Sequence, residues 1–191
     1  MRRLLLLLAA CAALSACVTP RAALAPAPWD RRIIELQRAG RWQLDGRAAV
    51  AVGTQGWQAS LNWRQRGPEA ELHLAGPLGV GALVIKKTPD GLSLNGAPPS
   101  DQVLAQLQDR LGFELPLDDL RYWLVGTPNP GASAELERNE QDRAKQVTQD
   151  GWTVGYDKYM PVNGDWLPAR LVLSRAGVRV RIVVDHWDGP S

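Results

Sequence analysis

Disulfide chemistry is closed to this chain. Its only two cysteines, Cys11 and Cys17, fall within the first 17 of 191 residues, so whatever folds downstream has neither a cross-link nor a thiolate metal site. It must be held by its core alone. Histidine is nearly as scarce. His73 and His186 are the only two, they stand in no H-E-x-x-H or other ligand spacing, and a solitary His on a strand reads as a surface or packing residue. No G-x-S-x-G is present, Ser60, Ser93 and Ser174 lack an elbow signature, and the glycine-rich phosphate loops are missing. Asp118-Asp119 could act as paired carboxylates, but early in a short helix they serve its dipole and caps. Nothing in the sequence asks for an enzyme, a metal or a cofactor.

Two further shortages bound the partners. No apolar run reaches the ~18 residues of a membrane-spanning helix. No excess of one charge survives either: two of the 22 basic residues are Arg2 and Arg3, and without residues 1–16 the remaining 20 face 20 acidic ones. A basic stripe that would argue for nucleic acid is absent. Tryptophan, by contrast, is abundant, eight residues against a single Phe. Indoles suit the lining of a cavity with a wet mouth, and a well-packed β core uses them too.

The N-terminus decides where the folded part lives. Arg2 and Arg3, then Leu4 to Leu8 and a small apolar run through Ala13, have the layout of a secretory signal peptide. The run ends in Leu14-Ser15-Ala16-Cys17, which resembles the lipobox of bacterial lipoproteins. That resemblance implies cleavage after Ala16 and acylation of Cys17. A second near-match ends at Cys11, but cleavage there would leave only about seven residues of apolar core, the bottom of the usual range. Val18 is not the Asp that tends to hold lipoproteins in the inner membrane, so outer-membrane placement follows by analogy. The expected organisation is a signal peptide over 1–16, a lipidated Cys and an Ala/Pro-rich tether over 17–28, and one domain over 29–191. Residues 18–28 read VTPRAALAPAP and, extended at roughly 3 Å per residue, would let the domain stand about 30 Å from its lipid.

Along the domain the hydrophobic period changes twice. Trp29 to Ala39 mixes Trp29, Ile33, Ile34 and Leu36 with charges and predicts an amphipathic helix that stops near Gly40. Trp42, Leu44, Ala48, Val50 and Val52 then alternate with polar or small residues, and Trp57, Ala59, Leu61 and Trp63 repeat the pattern after a turn at Gly53–Gly56. Leu72 and Leu74 continue it to the turn Ala75-Gly76-Pro77-Leu78-Gly79, and Val80, Ala82 and Val84 carry it to Pro89-Asp90-Gly91. Leu83 and Ile85 fall on the opposite face, so this strand reads as covered on both sides. A helix follows the strand at Leu92 and Leu94, with Ser100 as N-cap, Val103, Leu104, Leu107 and Leu111 on one face, and Gly112 as its stop. A second helix runs from Leu117 to Val125 with Leu120, Trp123 and Leu124 inward. Strands resume in a charged hairpin over Glu135–Lys145, at Trp152, Val154 and Tyr156, over Trp166–Leu173, and at Val178, Val180, Ile182 and Val184.

No regular βαβ alternation is present, so the sheet is not parallel. The expected class is α+β, mainly antiparallel β, a curled sheet around a hydrophobic interior partly plugged by helices. By alternation and size the candidate wall residues are Trp57, Leu61, Trp63, Leu72, Leu74, Val84, Trp123, Trp152 and Ile182.

Four stretches together resemble one family. Gly76-Pro77-Leu78-Gly79, Leu115-Pro116-Leu117 running on to Leu120–Pro128, Gln149-Asp150-Gly151-Trp152, and Leu167-Pro168 before a strand ending in Trp187 are similar, in order and spacing, to the outer-membrane lipoprotein receptor LolB family. The segment at Arg143-Ala144 departs from the pattern. The resemblance implies a monomeric acceptor of lipoproteins from the periplasmic carrier LolA, which inserts them into the inner leaflet of the outer membrane without ATP. It further implies an open, incomplete β-barrel curled around a hydrophobic cavity and covered by helices, acyl chains as the cavity's ligand, outer-membrane phospholipids as the destination, and a lipid-anchored location on the periplasmic face. Within that picture Leu78, flanked by Gly76, Pro77 and Gly79, is the membrane-insertion residue. It is apolar at a turn tip where an ordinary loop would be polar. A carrier of free lipid, a filled structural envelope lipoprotein and a hydrolase assembled only in the fold are the rival readings.

Overall fold

The computed structural model describes residues 29–79 and 81–190. Cys17, the signal sequence, the tether and Val80 lie outside the described residues. Helix α1 (Trp29–Arg38) leads into five strands, β1 (Arg41–Val52), β2 (Gln55–Arg66), β3 (Glu69–Ala75), β4 (Leu83–Thr88) and β5 (Gly91–Leu94). Helices α2 (Asp101–Leu111) and α3 (Leu117–Leu124) follow, then β6 (Glu135–Arg138), β7 (Ala144–Gln149), β8 (Trp152–Val162), β9 (Asp165–Arg175) and β10 (Val178–Asp188). All ten strands form one sheet in the order β5-β4-β3-β2-β1-β10-β9-β8-β7-β6, antiparallel throughout.

That order explains the helices. The first five strands meander outward from β1 to one edge, and the last five meander back from the other edge to β10, which pairs with β1. The chain must therefore cross from edge to edge between β5 and β6, and α2 and α3 lie on that crossing. The sheet stays open, since β5 and β6 are its two ends. Its inner face carries the core, with Trp42, Leu44, Ala48 and Val50 of β1 alternating with outward Gln43, Asp45, Arg47, Ala49 and Ala51. Helix α2 begins as its sequence predicts. The Ser100 hydroxyl accepts from the Val103 amide, Gly112 ends the helix in the left-handed conformation, and Val103, Leu107 and Leu111 face the core. Leu104 does not join them; at 55% exposure it points away, because its position, one residue past Val103, turns it off the buried stripe.

Strand β4 corrects the alternation. Leu72 pairs with Ile85 and Leu74 with Leu83, so Leu83 and Ile85 are the buried residues, while Val84 sits opposite His73 on the outer face. Alternation alone predicts Ala82 and Val84 inward, because apolar residues occupy both phases. Register against β3 settles the phase, and Gly79 and Gly81, both at positive φ, make the turn that resets it. One face of β4 is covered, not two.

Six of the eight tryptophans divide between cavity wall and core, while Trp29 is half-buried on α1 and Trp166 is exposed. Trp42 stacks on Trp63 at 5.9 Å and meets Trp187 edge-on at 5.5 Å, closing the sheet's inner face where β1 begins. Trp187 donates its indole N–H to the Pro168 carbonyl at 2.9 Å, and Trp63 donates to the buried Gln65 side chain at 2.9 Å. Such pairings let large indoles be buried without an orphaned donor.

Candidate functional site

Between the inner face of the sheet and the helices lies a small cavity of about 40 Å³ whose wall is made entirely of apolar residue types. Seven of the expected wall residues line it: Trp57, Leu61, Trp63, Leu72, Leu74, Trp152 and Ile182. Two do not. Val84 faces outward from β4. Trp123 belongs to the packed core, fully buried with its indole N–H donated to Gln149 Oε1 at 3.0 Å.

The helical side of the wall escaped the pattern reading. Leu111, Phe113, Leu115, Pro116, Leu120 and Leu124 close the cavity from above, with Ala48, Val50, Leu173 and Val180 below. The sheet residues carried the signal, since they share the inward phase already read for their strands. Residues 113–116 form an irregular connection between two helices, and no periodicity marks them. The single phenylalanine, Phe113, packs edge-on against Trp152 at 6.0 Å there.

The cavity has a mouth. A groove of about 750 Å³ runs between α2, α3 and the neighbouring turns, and shares Leu115, Pro116 and Trp152 with the cavity wall. Its floor includes Leu92, the exposed Leu104 and Leu107, and its rim is charged: Lys87, Glu114, Asp118, Asp119, Asp150 and Arg175. The Lys87 ammonium pairs with Asp118. Its pKa is lowered, chiefly by burial and then by the neighbouring Arg121 guanidinium. Asp119 accepts from the Asn129 side chain at 2.7 Å, so the two adjacent carboxylates bind separate partners instead of forming a catalytic pair.

Polar groups with catalytic potential lie elsewhere. His73 hydrogen-bonds Glu71 at 2.5 Å on the outer face, and that bond is the main reason the Glu71 carboxyl is held below its ordinary range. The Ser60 hydroxyl donates to the Ala75 carbonyl and the Ser174 hydroxyl to Thr153. None of these side chains is in the cavity wall.

The segments that carried the family resemblance hold the crossover in place. Gln149 is 2% exposed, accepts from the Trp123 indole at 3.0 Å and the Asn129 amide at 2.8 Å, and donates to the carbonyls of Asn129 and Ala132 at 2.8 and 3.1 Å. It thereby ties α3 and the loop after it to β7. Gly126, at φ +86°, leaves a Cβ-sized space against Pro168 that any other side chain would crowd. The departure at Arg143-Ala144 is accommodated: Ala144 is fully buried, its carbonyl accepts from the Tyr159 hydroxyl at 2.7 Å, and Arg143 lies over the rings of Tyr159 and Trp166. Gly76, Pro77, Leu78 and Gly79, expected to form an insertion loop, connect β3 to β4 through a single 3₁₀ turn over Pro77–Gly79, with Pro77 and Gly79 exposed.

An open antiparallel sheet with helices across its concave, apolar side, a cavity beneath them and a charged mouth defines a binder of apolar chains. A solved LolA-superfamily protein from Nitrosomonas europaea shares this fold at TM-score 0.53 and 9% identity, covering 84% of this chain and 93% of its own. Residues 40–187 match the family model described as outer membrane lipoprotein LolB, and the chain belongs to that family. The outer-membrane lipoprotein LolB of Thiobacillus denitrificans is 34% identical over 98% of both chains. That of Nitrosococcus oceani is 34% identical over 83% of this chain and 82% of its own.

Proposed function

We propose that this protein is an outer-membrane lipoprotein receptor. It accepts lipoproteins from the periplasmic carrier LolA, holds their acyl chains in the apolar cavity and releases them into the inner leaflet of the outer membrane. The observation that carries this reading is the cavity: its wall is wholly apolar, and it shares Leu115, Pro116 and Trp152 with a larger, charged-rim groove. Ligand pockets span roughly 300–1,000 Å³, so the 40 Å³ cavity is the closed form and must widen to load. The groove is the path by which a chain enters.

No catalysis and no nucleotide are needed. At ~0.8 kcal/mol per buried CH₂ an acyl chain cannot cross water exposed, so transfer runs from cavity to cavity. A preference of about 1.4 kcal/mol over the carrier already favours the handover tenfold. Cys17 carries the lipid that keeps the receptor at the periplasmic face of the outer membrane. Leu78, at the tip of the loop between β3 and β4, delivers the chains to the bilayer. The Gly76-Pro77 and Gly79 neighbours of Leu78 keep that tip short.

The test has two stages. The chain freed of its lipid anchor is mixed with lipoprotein-loaded carrier, and cargo is expected to change hands without nucleotide; no transfer to a folded chain would overturn the receptor reading. In membranes, Leu78→Glu is expected to retain cargo acceptance and lose insertion, with cargo remaining in the soluble fraction. Unchanged insertion would remove the role of Leu78.

A further inference from the structure

We propose that the outer face of the sheet between β8 and β1 is a cationic platform that rests on the anionic phospholipid headgroups of the membrane to which the chain is anchored. Strand register builds the platform. Lys158, Arg170, Val183 and Arg47 lie in one row across β8, β9, β10 and β1; the next row holds Gly155, Val172, Arg181 and Ala49; the next holds Thr153, Ser174, Arg179 and Ala51. Lys158, Arg170, Arg179 and Arg181 are exposed, and among the described residues none of them forms an ion pair.

Arg47 of the first row, and Glu71 on β3, are by contrast engaged in ion pairs. Arg47 is held by both Asp185 oxygens at 3.1 and 2.8 Å, and that bond keeps its pKa raised. Glu71 serves both His73 and Lys86. The acidic groups facing the platform are Asp185, already engaged by Arg47, Asp45, which accepts from the side chains of Gln43 and Asn62, and Asp157, beside Lys158 on β8. Since the domain as a whole is balanced in charge, four unpaired cations on one face are a local concentration and no reflection of general basicity.

The composition favours a bilayer over a protein. Between the arginines stand Ala49, Ala51, Gly155, Val172 and Val183, small or compact residues with no aromatic anchor among them of the kind protein interfaces use. Guanidinium groups engage phosphate oxygens bidentately, and a polybasic surface supplements a lipid anchor. The loop proposed for insertion is at the same level of the sheet. Strand β3 ends at Ala75 opposite Ser60, which pairs with Arg47, which pairs with Val183, which pairs with Arg170. A domain resting on this platform would bring the start of that loop to the same level along the strands.

The platform rests on the membrane attachment proposed above and not on cargo transfer, and the two can fail separately. The mature, lipidated protein is placed in vesicles of phosphatidylethanolamine with about a quarter phosphatidylglycerol, or of phosphatidylcholine alone. A fluorophore on Ala49→Cys, within the platform, reports contact with a headgroup-level quencher; the same label on Gln102→Cys of α2 is the control. Quenching at Ala49 is expected only in the anionic vesicles and should vanish in about 0.5 M salt. Each arginine contributes about fivefold to surface attachment, so Arg170→Gln/Arg179→Gln/Arg181→Gln should lower it about a hundredfold, while the triple Lys variant retains it.

An unquenched Ala49 label in anionic vesicles, or quenching that survives the triple Gln substitution, would overturn the platform. So would a Gln variant that keeps its headgroup contact but no longer captures the carrier, since the face would then dock a protein. Cargo acceptance, measured on the same samples, should be unaffected by the Gln substitutions. Loss of acceptance in the parent protein with normal quenching would count against the receptor reading alone.

Discussion

Gln149 shows how a polar residue can organise an apolar protein. All four of its hydrogen bonds reach groups near the α3–β6 crossover, and it is almost wholly buried. Replacing it with Leu preserves the volume but strands the fully buried Trp123 indole and takes the partner from the Asn129 amide and the carbonyls of Asn129 and Ala132, which are half-buried. Each stranded group costs about 1–3 kcal/mol, partly relieved by relaxation, so Gln149→Leu should lose roughly 3 kcal/mol. A urea unfolding curve should show this as a lower midpoint at unchanged slope. A loss below about 1 kcal/mol would mean that water replaces the side chain, and that the crossover is wetter than its burial implies. The residue stood in plain view within Gln149-Asp150-Gly151-Trp152, yet nothing local marks a Gln as a hub. Its partners are 17 to 26 positions away.

At the scale of elements, the helices are the part that can move. Helix α2 attaches to the rest through one apolar stripe, Val103, Leu107 and Leu111, while β1, β2 and β10 are hydrogen-bonded along both edges in the middle of the sheet. Burial of those three side chains contributes roughly 1.5–3 kcal/mol each. An acyl chain of about 16 carbons brings roughly 12 kcal/mol of apolar burial, enough to replace what the helix gives up when it moves aside. On loading with a triacylated lipopeptide, amides of Asp101–Leu111 and the 112–116 connection should therefore exchange faster, with β1, β2 and β10 unchanged. Equal protection in α2 before and after loading would mean that the cavity widens by uncurling the sheet instead. Much of this architecture was legible. Period-two alternation marked the long strands, and Ser100 and Gly112 marked the ends of α2. Where apolar residues occupied both phases, as in β4, or sat one step off the stripe, as Leu104 does, sequence could not choose, because pairing across strands and packing between elements decide those cases. The cavity's sheet wall was readable for the same reason its helical connection, Phe113 to Pro116, was not.

For the whole molecule, the relation between anchor and loop decides how insertion works. Helix α1 enters the sheet at the end where β1 begins, and Arg138 of the edge strand β6 holds Asp30 at 2.7 Å, so Trp29 lies toward that edge. The loop carrying Leu78 leaves β3, seven strand positions away in the sheet order and toward the other end of β2. At about 4.8 Å per strand this is roughly 34 Å along the curled surface, before any displacement along the strands. The eleven residues 18–28 that join the proposed lipid on Cys17 to Trp29 span roughly 30–40 Å when extended. Tether and separation are thus nearly matched, and the loop reaches the bilayer only if the tether has its full length. Deleting residues 20–25 should leave cargo acceptance from the carrier intact, since the cavity and its mouth are untouched. Insertion should fall several-fold, and should stay unchanged when the same six positions are replaced by a Gly/Ser run of equal length. Cargo is expected to accumulate on the receptor, read as receptor-bound lipoprotein that stays extractable from the vesicle surface. Equal insertion by the shortened and replaced chains would mean that the domain reaches the membrane from another side, and the loop at Leu78 would lose its place in the mechanism.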